Sequence, residues 1–278
     1  MDTRHKPRHR RSRRRRLGQH FLTGHTALEQ VVEAIEPLPG QQILEVGPGR
    51  GALTVPLVSS GACVLAVELD PVLVRRLREK QNLRGFMVVE GDILKVDLRE
   101  LVVGHFPERH PVRVIGNLPY SVASPTLLRL LPRADLFSDW TLMVQREVAD
   151  RILAVPGSRL FGVMTLLCAC HAAPRRLLDL APSCFSPPPE VHSTLIHFVP
   201  RPLPFTAEAQ WTAFQRVVKA AFSSRRKMFR NTLATGLRIG VDQAEAALTA
   251  AGLNPEDRPE RIPLEGYVEL TRQLASST

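Results

Sequence analysis

The chain has 278 residues, of which 44% are hydrophobic, and a formal net charge of +10, so it can bury a substantial core plus a smaller second domain without metal or disulfides. Its four cysteines, at 63, 168, 170 and 184, lack zinc or thioredoxin spacing and fit a reduced, cytoplasmic setting. No apolar run approaches bilayer length and no signal-type apolar region follows the basic start, so neither a membrane-spanning nor a secreted protein is expected.

The charge is concentrated at the start. Residues 1–16 hold nine Lys and Arg against Asp2, a net +8, with no apolar residue between Met1 and Leu17. Such a tail cannot bury surface and is expected to be disordered when free. Its composition points to phosphate attraction and a salt-dependent affinity for nucleic acid. Targeting or simple solubilisation are the other readings.

Helical apolar spacing runs from Ala27 to Ile35 and stops at the Pro37 to Gly40 cluster. Short apolar runs then alternate with helical stretches. Gln42 to Val46, Cys63 to Val67, Phe86 to Val89 and Val112 to Ile115 read as strands, with helices near 52–60, 71–80 and 121–131 between them. This alternation predicts a parallel, doubly wound sheet. A fifth strand is expected at Thr141 to Val144 and a helix from Glu147 to Leu153. Arg176 to Leu180 and Ser193 to Val199 are expected to close the sheet edge as an antiparallel pair. Pro200, Pro202 and Pro204 mark a boundary, after which the pattern is helical. The expected division is a basic tail at 1–16, an α/β domain at 17–204 and an all-α domain at 205–278.

Three chemically suggestive groups fall at the carboxyl ends of the first three strands. Gly47-Pro48-Gly49-Arg50-Gly51 permits a tight turn and close approach of a ligand to backbone. Glu68, 21 residues beyond Gly47, can accept both hydroxyls of a ribose, and Asp92 can accept from an adenine amine. Each acid alone reads equally as a solvated strand end or helix cap. Three in register favour a ligand, because open α/β sheets bind at that edge. The compressed glycine spacing suits a nucleoside with an amino-acid tail better than a pyrophosphate, which suggests S-adenosylmethionine.

At the fourth strand end stands Asn117-Leu118-Pro119-Tyr120. Pro119 biases Leu118 toward an extended conformation, so the Leu118 carbonyl can point into a pocket beside the Asn117 amide oxygen. Tyr120 offers a face for base stacking, worth roughly 1–3 kcal/mol. An ordinary turn with a buried Tyr is the alternative.

Gly18 to Leu22, Glu45 to Thr54, Glu68, Gly91-Asp92, Asn117 to Tyr120, Phe185 to Val191 and Arg225 to Asn231 occur in an order that resembles the KsgA-type rRNA adenine dimethyltransferases. The resemblance spans residues 17 to 275. It implies a Rossmann-like class I methyltransferase domain with a small C-terminal all-α domain, S-adenosylmethionine as cofactor, and dimethylation of the N6 amines of two adjacent adenosines near the 3′ end of small-subunit rRNA. It further implies an assembling 30S particle as partner, with no membrane contact and a monomeric enzyme. His20 and Leu22 then join Gly47, Glu68, Asp92 and Asn117 as cofactor-binding candidates. Asn117 and the Leu118 carbonyl would hold the amine, with Tyr120 and Phe185 on the two faces of the base. Core packing is the plainer reading of Phe185.

In the second domain, Arg226 and Arg230 stand one helical turn apart with Arg225 and Lys227 beside them, a basic face suited to rRNA phosphates. Phe222, Met228 and Phe229 are expected in the core of that domain. His192 stands where the family commonly has Asp, and Phe161-Gly162 where it has Tyr-Gly. An Erm-type enzyme acting on large-subunit rRNA and a non-catalytic nucleic-acid-binding factor are the alternatives. Leu118 and the Arg225 to Asn231 segment favour the small-subunit enzyme, and intact Glu68, Asp92 and Asn117 favour an active one.

Overall fold

A computed structural model describes residues 20–79, 84–106, 111–205, 208–224 and 226–276. The basic start at 1–16 and Arg225 lie outside the described residues. Among the described residues there are nine strands: β1 Phe21–Leu22, β2 Gln42–Val46, β3 Cys63–Glu68, β4 Phe86–Glu90, β5 Val112–Asn117, β6 Phe137–Gln145, β7 Ala172–Leu180, β8 Phe185–Ser186 and β9 Ser193–Pro200. Helices α1 His25–Ile35, α2 Thr54–Ser59, α3 Pro71–Arg78, α4 Leu98–His105, α5 Ala123–Leu130 and α6 Arg146–Ile152 alternate with the first six strands. Of these, only α4 is not among the helices that the periodicity predicts. None of the helices is long and apolar enough to cross a membrane, among the described residues.

Seven strands form one sheet in the order β4-β3-β2-β5-β6-β9-β7. Neighbours from β4 through β6 are parallel, and β9 joins β6 antiparallel with Ser193 opposite Gln145. Every residue of β2 is buried, as a central strand covered by helices on both faces requires. Ile43, Val64 and Ile115 on this sheet pack with Val31 and Ile35 of α1 and Leu57 of α2. Asp70 caps α3 through a bond from the Val72 amide, with Pro71 at the first helical position, and Asp97 caps α4 through the Arg99 and Glu100 amides. Both caps supply acceptors to amides that a helix start leaves unpaired.

Chain order reverses between β2 and β5, which opens a crevice at their carboxyl ends. Gly116 permits the close spacing there: a Cβ on it would stand 2.9 Å from the Val46 carbonyl oxygen. Outside the main sheet, β1 pairs antiparallel with β8, placing Phe21 opposite Ser186 and Leu22 opposite Phe185. This ribbon has no counterpart in the sequence pattern, since two residues carry no periodicity.

The chain divides into two compact units, one running to Ala149 and resuming over Arg175–Val199, the other made of Asp150–Pro174 with the chain from Pro200 onward. Residues 150–174, which precede the Pro200 to Pro204 cluster, thus belong to the same unit as the chain after it. They hold α7, Val163–His171, which with α8 Glu208–Ala221, α9 Phe229–Leu237, α10 Val241–Ala250 and α11 Leu264–Ser276 builds the helical unit. The Arg201 amide donates to the His171 carbonyl at 2.9 Å and that of Gly157 to Glu260 at 2.7 Å. His171 is buried edge-on to Trp211 with centroids 4.3 Å apart, and Phe161 lies 6.4 Å from Phe222. A short, almost wholly apolar segment such as Val163 to His171 has no period to reveal which unit it serves.

Candidate active site

The crevice between the β2 and β5 ends is an open cleft lined by residues from the ends of β2, β3, β4 and β5. The glycine loop takes positive φ at Gly47, Gly49 and Gly51. At Gly49 space is also limiting, because a Cβ would stand 2.9 Å from the Phe21 ring. Strand β1 thus presses Phe21 onto the loop, and the Arg50 guanidinium lies over the same ring, 4.6 Å from its centroid. That cation-π contact adds roughly 0.5–1 kcal/mol to holding the loop at an exposed site.

Three carboxylates border the cleft. Glu68, only 3% exposed, accepts from the Gly49 amide at 3.0 Å through one oxygen and from the Asp70 amide at 2.9 Å through the other. Burial pushes its carboxyl above the usual range, and the backbone donors only partly offset this. Asp92 accepts from the Leu94 amide at 3.0 Å and lies 3.9 Å from Lys95. Glu45, not among the predicted site residues, is buried behind the loop and accepts from the Thr54 hydroxyl at 2.6 Å. A carboxylate within an apolar strand, just before the glycine loop, is its signal in the sequence.

Asn117, Leu118, Pro119 and Tyr120 all line the cleft, as do His20, Leu22, Gly47, Glu68 and Asp92. The Asn117 Nδ2 donates to the His20 carbonyl at 3.1 Å, which commits the amino end of the amide and leaves Oδ1 as the acceptor. The Leu118 amide donates to the Met143 carbonyl at 3.2 Å, fixing the turn against β6. His20 donates from Nδ1 to the Pro187 carbonyl at 2.7 Å, and its ring lies 5.2 Å from that of Tyr120, tilted by 30°. Phe185 does not join them. It is 4% exposed, packs with Leu22, Val31 and Leu195 and is absent from the cleft lining. It stands opposite Leu22 in the β1–β8 ribbon, and in this structure its ring belongs to the core cluster, as the plainer reading expects, and not to the cleft wall.

The basic segment also differs from expectation. Helix α9 begins at Phe229 with Met228 as its extended N-cap, so Arg226 and Lys227 lie in the exposed turn before it and share no helix face with Arg230. Arg230 reaches Glu245 at 3.2 Å and Glu256 at 3.8 Å, which ties α9 to α10 and to the loop after it. Phe229 is buried and Phe222 stacks with Tyr267, but Met228 is 41% exposed and does not pack the core.

The cleft chemistry suits S-adenosylmethionine. Glycines leave room at the loop, and the lining sets three carboxylates, Glu45, Glu68 and Asp92, against the single guanidinium of Arg50. Such a set attracts a cationic nucleoside and repels a pyrophosphate.

A family model described as Ribosomal RNA adenine dimethylase matches residues 10–276. Proteins named Ribosomal RNA small subunit methyltransferase A are similar across 94% of this chain. That of Methylococcus capsulatus is 39% identical with 97% of its length covered, that of Pseudomonas putida 39% with 95%, and that of Thermosynechococcus vestitus 37% with 96%. Among solved structures, a dimethyladenosine transferase from Plasmodium falciparum matches with a TM-score of 0.75 at 20% identity, covering 92% of this chain and 98% of that one. The 23S rRNA methyltransferase ErmE matches with a TM-score of 0.66 at 24% identity, covering 92% and 99%. Both likenesses bear on the fold, which is that of class I methyltransferases. By the match over nearly its whole length, the chain belongs to the ribosomal RNA adenine dimethylase family and is a methyltransferase that uses S-adenosylmethionine.

Proposed function

We propose that the enzyme dimethylates the exocyclic N6 amines of two adjacent adenosines near the 3′ end of small-subunit (16S) rRNA, acting as a cytoplasmic monomer on the assembling 30S particle. The observation that carries this reading is the fixed Asn117 amide, whose nitrogen is engaged by the His20 carbonyl beside the Leu118 turn. An adenine amine is a weak nucleophile because its lone pair is delocalised into the ring. With the Asn117 oxygen and the Leu118 carbonyl accepting its hydrogens, the nitrogen is drawn toward tetrahedral geometry and its lone pair is aimed across the cleft.

When bound, S-adenosylmethionine supplies a methyl carbon made electrophilic by its sulfonium. Glu68 and Asp92 hold the ribose and adenine ends of the cofactor, Gly47 gives backbone access, and His20 and Leu22 cover it. No basic side chain is needed for the amine, so orientation supplies most of the acceleration, an effect worth roughly 7–11 kcal/mol in favourable cases. The base must be unstacked to reach the cleft, where Tyr120 offers one face. Arg225, Arg226 and Lys227 are the candidates for rRNA phosphates; Arg230, held by two acids, contributes through the shape of that segment.

The small-subunit assignment is favoured over an Erm-type activity by the names of relatives 37–39% identical over nearly the whole chain. Labelled methyl transfer to naked small-subunit rRNA, to large-subunit rRNA and to 30S particles, run side by side, tests it. Dimethylated adenosine in small-subunit RNA is expected, and labelling restricted to large-subunit RNA would overturn the reading.

A further inference from the structure

The Tyr120 hydroxyl and the Ser193 Oγ share a hydrogen bond of 2.8 Å. Ser193 is fully buried and opens β9, in register with Gln145 of β6, so its position is set by the sheet. Tyr120 is half-buried at the cleft, and nothing in its own turn fixes the ring: Pro119 restrains the backbone but leaves the Tyr120 χ angles free. Two contacts remove that freedom. The His20 ring limits one face, and Ser193 anchors the hydroxyl at the far tip. Burial pushes the phenol above its usual value, which keeps it a neutral hydrogen-bonding group.

Building on the methyl-transfer reading, we propose that Ser193 is a positioning residue: it pins the tip of the Tyr120 ring, whose face His20 limits, and thereby sets how the target amine is presented for both methylations. It touches neither amine nor cofactor and acts through the ring alone. The requirement is greater for the second methylation, because a mono-methylated amine has one hydrogen fewer for the Asn117 and Leu118 acceptors and depends more on how its ring is held.

The test combines Ser193→Ala, Tyr120→Phe, the double variant and Ser193→Thr on small-subunit rRNA. Ser193→Ala should lower kcat about tenfold, with KM for RNA and Kd for the cofactor within about twofold of wild type. Its products should be enriched in mono-methylated adenosine. Tyr120→Phe should show the same loss, the double variant should be no worse than either single one, and Thr should restore kcat to within about threefold of wild type, because both act through one hydrogen bond. A purely structural role would instead lower the melting temperature and cofactor binding together. Unchanged kcat in Ser193→Ala, or losses that add in the double variant, would overturn the proposal. If Ser193→Ala fails to fold, Tyr120→Phe decides alone, since unchanged kcat there is equally fatal. A wild-type enzyme inactive on small-subunit RNA would overturn the functional reading and this proposal with it, whereas an active wild type with an unaffected Ser193→Ala overturns the positioning role only.

Discussion

The side-chain amide of Asn117 is held by the main-chain carbonyl of His20, 97 residues earlier, at 3.1 Å. An amide can present either its oxygen or its nitrogen to a ligand, and this bond selects the oxygen. Asn117→Ala should therefore reduce methyl transfer by at least about a hundredfold, far more than any loss of cofactor affinity measured by calorimetry. Near-normal turnover would remove Asn117 from the chemistry.

Glu68 is expected to make cofactor binding sensitive to acid. Its buried carboxyl is raised above the ordinary value of 4.5, and an acceptor for ribose hydroxyls must be ionised. Affinity is therefore complete above the raised value and is lost as pH falls through it, at a higher pH than an ordinary carboxylate would give. Cofactor Kd followed from pH 8 to pH 4 should show this loss, and Glu68→Gln should bind more weakly with a flat profile. An identical slope in the variant would exclude Glu68.

His171 gives the helical unit a separate acid weakness. Burial lowers its imidazole from 6.5 to about 4, and its Nε2 is buried with no hydrogen-bond partner among the described residues. The unfolded chain takes up a proton below about pH 6.5 that the folded chain refuses until about pH 4. Stability is thus complete above pH 6.5 and declines as pH falls toward 4, by up to about 3 kcal/mol. Urea unfolding of His171→Phe at pH 7.5 and pH 5 should show a smaller difference than wild type.

Gly116 and Gly49 should fail for different reasons. A Cβ at Gly116 meets the Val46 carbonyl oxygen at 2.9 Å, so Gly116→Ala must push the central strands β2 and β5 apart and should cost about 1–3 kcal/mol of stability. Gly49→Ala adds strain at φ +58 and pushes on the Phe21 ring, so it should chiefly weaken cofactor binding. Thermal unfolding and calorimetry on both variants separate the two effects.

Arg226 and Arg230 should behave differently as well. Arg226→Glu is expected to weaken rRNA binding and lower its salt slope, with unfolding unchanged. Arg230→Ala, which breaks contacts to Glu245 and Glu256, should cost about 1 kcal/mol in stability. Equal effects on RNA affinity from both would contradict this division.

Much of the α/β unit was legible because its parallel strands are short apolar runs, buried in β2, β3 and β5 and partly exposed in the edge strand β4. Gly47, Glu68, Asp92 and Asn117 each follow such a run, and strand order brings their ends together. What escaped had no local signature. Two residues of β1 show no period, α7 is apolar on nearly all sides, and the acids that engage Arg230 stand 15 and 26 residues away in sequence. The burial of Phe185 has no local signal either: its neighbour across the ribbon, Leu22, stands 163 residues earlier in sequence.

That same pairing has a bearing on the enzyme's birth. Strand β1 is made early, but its partner β8 leaves the ribosome more than 160 residues later. Until then Phe21 has no ribbon to hold it on the glycine loop, and the β9 strand carrying Ser193 has yet to appear. A nascent or truncated chain ending before residue 185 would expose the glycine loop without its cover. Competence is conferred late in synthesis, when nearly all of the α/β unit is free of the translating ribosome.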